Sequence, residues 1–234
     1  NDNALERRGL PTIHTQFGQA KAVIAGDWLF VQGFSLAARQ SEEVVDIIAR
    51  SCANMAVSEF LQLDHVHNLA TSPEDYLAIV RGKTAGPFAA GCHAAGLTAG
   101  LSAEQALGLE RFGMELGIAF QLVDDLLDLR GDERMGKPRG ADVYEGKMTL
   151  PLIHALTLSH GHHRQRLANL IETFSDEHFD ELMTLLNRSD SMEYAEILVR
   201  THLERARSEL DQFPDSQAKE VLLLITDFVM QRHT

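Results

Sequence analysis

The chain has 234 residues, 44% of them hydrophobic and 24% charged, a balance that supports a sizeable packed core in one domain and excludes a disordered or fibrous chain. Its 21 Lys and Arg face 34 Asp and Glu, and a formal charge of -13 repels phosphate backbones, which argues against a nucleic-acid partner. No apolar run reaches the roughly 20 residues a membrane span needs, no signal-peptide pattern opens the chain, and Cys52 and Cys92 lack C-x-x-C spacing; a soluble, cytoplasmic protein with buried thiols is expected.

Apolar residues recur with a 3.6-residue period almost throughout, which predicts an all-α fold. Helices are expected at about 15–39, 41–69, 73–100, 102–130, 146–159, 163–173, 176–187, 190–212 and 215–232. Ser72-Pro73-Glu74-Asp75 supplies an N-cap, a first-turn proline and two acids, and Ser102-Ala103-Glu104-Gln105 reads as a capping box. Between them, Ala89, Gly91, Cys92, Ala95, Gly96, Ala99 and Gly100 make one helix thin, either for close helix packing or to leave a groove. Pro87 lies inside that helix and frees the carbonyl of Lys83, so a kink is expected there, flanked by Gly82 and Gly86. The long polar break is Gly131 to Glu145, and His160, His162 and His163 read as a turn between helices rather than as metal ligands.

FQLVDDLLD, Phe120 to Asp128, carries three aspartates inside an apolar pattern. Gly113, Gly117, Gln121, Asp124 and Asp128 advance by three or four residues and share one helix face, while Asp125 lies about 100° round from Asp124 and supports it from the flank. Two carboxylates one turn apart repel unless a cation intervenes, and Mg²⁺ suits one or two carboxylates with other oxygens completing its shell. A solvated acidic face explains the same residues. Lys137 and Lys147 follow in a glycine-containing loop, and lysines beside a metal site are a combination that holds a diphosphate.

FQLVDDLLD with GKPRGADVYEGKMTLP (Gly136 to Pro151) resembles the second aspartate-rich motif and trailing loop of the trans-isoprenyl diphosphate synthases, or polyprenyl synthetases. RRGLPTIH (Arg7 to His14), AGDWL (Ala25 to Leu29), Glu59 with Gln62, and GKTA (Gly82 to Ala85) follow in that family's order, so the likeness spans essentially the whole chain. It implies a bundle of long helices around a central substrate cavity, the isoprenoid synthase fold, over residues 1–234. It also implies a Mg²⁺-dependent prenyltransferase that condenses an allylic diphosphate with isopentenyl diphosphate, and a homodimer. By the same likeness Asp124, with Asp125 and Asp128 supporting, binds the metal. Lys83, Lys137, Lys147 and Arg7 face the allylic diphosphate, and Arg8 the isopentenyl diphosphate. Thr84 and Gln121 line the place where the carbocation develops, and Phe120 lies against the isopentenyl unit.

The first aspartate-rich motif of that family would end at Asp2, with its other aspartates before residue 1, and the upstream G-G-K-R is missing. By resemblance the natural chain is expected to extend upstream by roughly 80 to 100 residues. LVDDLLD and GKMTLP look more like the bacterial medium- and long-chain enzymes. A class I terpene cyclase shares the aspartate motif but has no need of the Lys83-Thr84 and Arg7-Arg8 pairs, and a non-catalytic partner subunit has no need of intact Asp124, Lys137 and Lys147. The chain end, MQRHT, reads as a fraying helix end, with contact to substrate phosphate as the alternative.

Overall fold

The computed structural model describes residues 4–7, 9–131 and 139–232; the expectations for Asp2, Arg8 and Lys137 lie outside the described residues. The first of two compact units, Asn1–Ile48, opens on a two-residue hairpin that helical periodicity did not announce. In it β1 (Glu6–Arg7) runs antiparallel to β2 (Leu10–Pro11), with Arg7 opposite Leu10 and Gly9 turning at φ 72°. Where one helix was expected over 15–39 there are two, α1 (Ile13–Phe17) and α2 (Gln19–Ala37), because Gly18 between them sits at φ 86° and ends the first. Val23, Ile24, Trp28, Leu29, Phe30 and Val31 of α2 are all exposed.

The second unit, Ala49–Thr234, is entered partway along α3 (Glu42–Asp64). That helix stops short of the expected 69: His67 adopts a left-handed φ of 55°, and its backbone N–H donates to the Gly146 carbonyl at 2.8 Å. α4 (Pro73–Val80) starts as the sequence predicts, the Ser72 hydroxyl accepting the Asp75 N–H at 3.1 Å and the Asp75 carboxylate accepting the Ser72 N–H at 3.0 Å. Arg81–Ala85 then form a π-helical turn in which the Gly86 N–H reaches five residues back to the Arg81 carbonyl. α5 (Gly86–Thr98) begins there with Pro87 in its first turn. The expected irregularity is thus present as a widened turn rather than a simple kink, and it places the proline where a missing N–H costs little.

The Ser102 capping box opens α6 (Ala103–Arg130), the helix about which the unit is built: Phe112, Leu116, Ile118, Leu122, Val123, Leu126 and Leu129 are all buried on it. It packs against α5 on one side and α11 (Ser191–Glu209) on another. Glycines set the first contact. A Cβ at Gly113 would lie 2.6 Å from the Phe88 carbonyl oxygen, and one at Gly117 2.5 Å from the Ala85 Cα, so backbone rests on backbone there. Gly96 is likewise pressed against Ala106 of α6, whereas Gly91 is exposed with open space beside it; close packing accounts for one face of the thin helix.

Within the break expected over Gly131 to Glu145, α7 (Ala141–Tyr144) makes a single turn, and the helix expected from 146 begins later, as α8 (Leu150–Leu158). α9 (Gly161–Glu172) carries His162 and His163, both exposed, and α10 (Phe179–Arg188) and α12 (Gln217–Gln231) complete the unit. Leu152 and Ile153 of α8 and Val199 and Leu203 of α11 meet the apolar side of α6 in the core. Cys52 and Cys92, expected buried, are half-buried free thiols. No described helix is long and apolar enough to cross a membrane.

Candidate active site

The π-helical turn and α6 bring together residues far apart in sequence. Lys83 sits half-buried on the turn, its ammonium donating to the Gln62 Oε1 at 2.7 Å and pairing with the Glu59 carboxylate at 3.0 Å, both on α3. Gly82 makes that approach possible: a Cβ there would collide with Ser58 and come within 3.0 Å of the Asn54 carbonyl oxygen. The next residue after Lys83, Thr84, donates its hydroxyl to Gln121 Oε1 at 2.8 Å. Gln121 Nε2 in turn donates to Asp125 Oδ1 at 2.8 Å, and the other oxygen of Asp125 accepts the Tyr76 hydroxyl at 2.6 Å.

Asp125, expected among the metal ligands, therefore has a different place. It is buried, and a neutral donor holds each of its oxygens. Among the described residues no cation pairs with it, and burial first, then the nearby charge of Asp142, pushes its carboxyl up to about 7. The reason is rotational: the 100° step from Asp124 to Asp125 carries the second side chain off the open face and into the core against α4.

Asp124 and Asp128 stay on the shared face. An Asp124 oxygen lies 3.0 Å from the guanidinium of Arg232, which also covers the Phe120 ring at 4.7 Å from its centroid. Arg232, the last described residue, thus lies against Asp124 and Phe120. Phe120 packs its ring 5.6 Å from that of Phe88. Asp128 accepts the Asp142 backbone N–H at 3.1 Å, and the backbone carbonyl of Asp128 accepts the Gly140 N–H at 2.9 Å, so this aspartate anchors the start of α7. Burial, then the charge of Asp142, raises its carboxyl to about 6. Lys147 Nζ lies 2.9 Å from Asp142 and also pairs with Glu145; burial opposes its charge, but these carboxylates outweigh burial and raise its pKa. Arg7 is exposed on β1 of the first unit.

Asp124, Asp125, Asp128 and Asp142 lie near one another, and burial first, then the charge of Asp142, raises the carboxyls of Asp125 and Asp128. Among the described residues no three acidic, His or Cys side chains converge on one point. That arrangement fits a hard divalent cation held by one or two carboxylates whose other ligands come from water or substrate oxygens. A cavity of about 300 Å³ lined by Arg130, Asn187, Asp190 and Glu196 lies elsewhere; its arginine is already paired with Glu196, and none of the residues above line it.

Sequence reasoning missed Tyr76, Asp142 and Arg232 as parts of this cluster. Each reaches it from a separate element, α4, α7 and the end of α12, and nothing local marks them.

With this geometry in hand, the profile of the polyprenyl synthetase family matches residues 1–188. The chain belongs to the polyprenyl synthetase family. Its curated relatives include the octaprenyl diphosphate synthase of Escherichia coli, 32% identical over 99% of this chain and 72% of that protein. A short chain isoprenyl diphosphate synthase of Methanothermobacter thermautotrophicus is 32% identical over 97% of this chain and 71% of its own length. Among solved structures, a decaprenyl diphosphate synthase from Rhodobacter capsulatus superposes with a TM-score of 0.93 at 34% identity, covering 100% of this chain and 73% of that one. A polyprenyl synthase from Caulobacter crescentus, complexed with calcium and isoprenyl diphosphate, gives 0.91 at 33% identity, over 100% of this chain and 72% of that one. The fold of this polyprenyl synthetase is accordingly the all-α isoprenoid synthase fold, and its enzyme class is trans-prenyltransferase.

Proposed function

We propose that this chain carries the second metal site and the allylic diphosphate site of a Mg²⁺-dependent synthase that joins an allylic diphosphate to isopentenyl diphosphate and releases a medium- or long-chain trans-polyprenyl diphosphate. The observation that carries the reading is the junction of the Lys83–Thr84 turn with the Gln121–Asp128 face of α6. The named products of the octaprenyl and decaprenyl relatives support the chain length. Calcium and an isoprenyl diphosphate in the Caulobacter relative support the use of a divalent cation.

Asp124 and Asp128 hold the cation, which when bound supplies positive charge against the leaving diphosphate. Lys83 and Lys147, with Lys137 and Arg7 by resemblance, neutralise the remaining diphosphate oxygens, and Arg8 serves the isopentenyl diphosphate. Lys83 and Lys147 now rest on Glu59, Gln62, Asp142 and Glu145, so binding exchanges those partners for phosphate oxygens. The Thr84 hydroxyl oxygen and Gln121 amide present dipoles, not charges, to the developing allylic cation, which stabilises it without capturing it. Phe120, packed on Phe88, presents a ring to the isopentenyl unit and helps exclude the water that would trap the cation. Asp125 supports this set from within the helix packing rather than as a ligand. No described side chain serves as a dedicated base; the proton lost on coupling leaves with the diphosphate.

The exposed apolar face of α2 supports assembly as a homodimer, and the two free thiols suit the reducing cytoplasm. The test is to incubate the purified full-length protein with a farnesyl or geranyl primer, isopentenyl diphosphate and Mg²⁺ and to size the products. Extension by five-carbon steps that chelator abolishes is expected. Cyclised products, or no extension by a folded protein with the metal present, would overturn the reading.

A further inference from the structure

Tyr76 is buried on α4, and its hydroxyl ends a directed run of hydrogen bonds: Thr84 to Gln121 at 2.8 Å, Gln121 to Asp125 at 2.8 Å, and Tyr76 to the other Asp125 oxygen at 2.6 Å. Packing alone does not require a carboxylate at position 125. A leucine has the same branched outline but would leave the Tyr76 hydroxyl and the Gln121 amide N–H without an acceptor. What a carboxylate adds is direction. Gln121 has an oxygen at one end of its amide and an NH₂ at the other, and an acceptor at Asp125 draws the NH₂ end. The oxygen end then faces Thr84 and takes its hydroxyl hydrogen, so the lone pairs of Thr84 are left for another partner.

The carboxylate does this only while its own orientation is set. Gln121 holds one oxygen; Tyr76, from a separate helix, holds the second. We propose that Tyr76 is a positioning residue for prenyl transfer, fixing the Gln121 amide through Asp125 and, through that amide, the direction of the Thr84 hydroxyl. The inference rests on the assignment of Thr84 and Gln121 to the carbocation site and adds the residue that orients them. The placement of α4 suits this role. Ser72 and Asp75 cap its first turn one residue before Tyr76, and the π-helical turn that carries Thr84 continues from its other end, so one element sets both ends of the run.

The test is a double-mutant cycle in the full chain, read as kcat and as KM for both substrates. Tyr76→Phe keeps the ring and removes the donor, and is expected to lower kcat roughly tenfold while each KM moves by less than about twofold. Thr84→Val is expected to lower kcat by itself. In that background Tyr76→Phe is expected to cost less than about twofold, because the group it orients is gone. Effects that multiply, or an unchanged kcat in Tyr76→Phe alone, would overturn the proposal. Full turnover in Thr84→Val would instead sink the assignment of Thr84; the link is then read on the side-chain amide resonances of Gln121, expected sharp in the wild type and exchange-broadened in Tyr76→Phe, and identical spectra would overturn it. Should Tyr76→Phe not fold, fluorotyrosines at position 76 keep the shape and vary the donor strength. A kcat that does not follow donor strength contradicts the proposal.

Discussion

Three aspartates within five residues of α6 have three different surroundings, and their chemistry follows from those surroundings. Asp125 and Asp128 have carboxyls raised from 3.8 to about 7 and about 6 by burial and by Asp142. A carboxyl whose folded pKa is raised holds a proton that the unfolded chain has released, so its contribution to stability is present below about pH 4 and is lost as pH rises through about 7. In chelator, the protein is therefore expected to melt at falling temperature from about pH 5 to about pH 8, and Mg²⁺ should stabilise it most at the upper end. Asp128→Asn keeps an acceptor for the Asp142 N–H and removes one of the two groups, so its metal-free melting curve should depend less on pH. An equal slope in that variant would contradict the electrostatic account. The Arg232 guanidinium supplies positive charge at Asp124. Arg232→Gln should consequently raise the affinity for Mg²⁺ measured calorimetrically without substrate, by a few-fold; a lowered affinity would show that the arginine supports the metal rather than competing with it.

At the scale of helices, the site depends on how closely α6 approaches the π-helical turn. Gly117→Ala places a methyl 2.5 Å from the Ala85 Cα, a contact with backbone that no rotamer change relieves. We expect a loss of about 1–3 kcal/mol in folding stability from overpacking and, because Thr84 is drawn away from Gln121, a larger proportional loss of kcat. Thermal melting with kinetics on the same sample checks both; unchanged kcat in a destabilised variant would separate the packing from the chemistry. Pro87→Ala restores an N–H that can compete for the carbonyls of the turn, and is expected to favour regular α-helix there and to lower turnover more than stability.

What was legible in the sequence divides along the same line. The N-cap at Ser72, the capping box at Ser102, and the alignment of Gln121, Asp124 and Asp128 depend on residues a few positions apart and could be read directly. The rotation of α6 that buries Asp125 depends on what packs around the helix. Its partner Tyr76 is 49 residues away. The early end of α3 is set by Gly146, not by a stop signal near Asp64, and the two-residue hairpin is too short for a period-2 pattern. The shared face of Gln121, Asp124 and Asp128 was therefore legible, and Tyr76, which holds Asp125, was not.

Across the whole molecule, a charge of -13 sits on a protein proposed to bind two diphosphates, so affinity depends on a local excess of Lys and Arg and on the cation rather than on the overall field. The apolar residues of α2 need a cover, and a second copy is the proposed one. Trp28→Asp should shift the mass measured by light scattering from dimer towards monomer, and an unchanged dimer would place the interface elsewhere. The central claim is that Asp124, on the face of α6 joined to the Lys83–Thr84 turn, is a metal ligand for prenyl transfer. Its most direct test is the incorporation of labelled isopentenyl units by wild type and Asp124→Asn, side by side, over a Mg²⁺ titration. The account predicts metal-dependent incorporation by the wild type and a loss of at least about 100-fold in a variant that still folds. Near-normal incorporation by Asp124→Asn would contradict it.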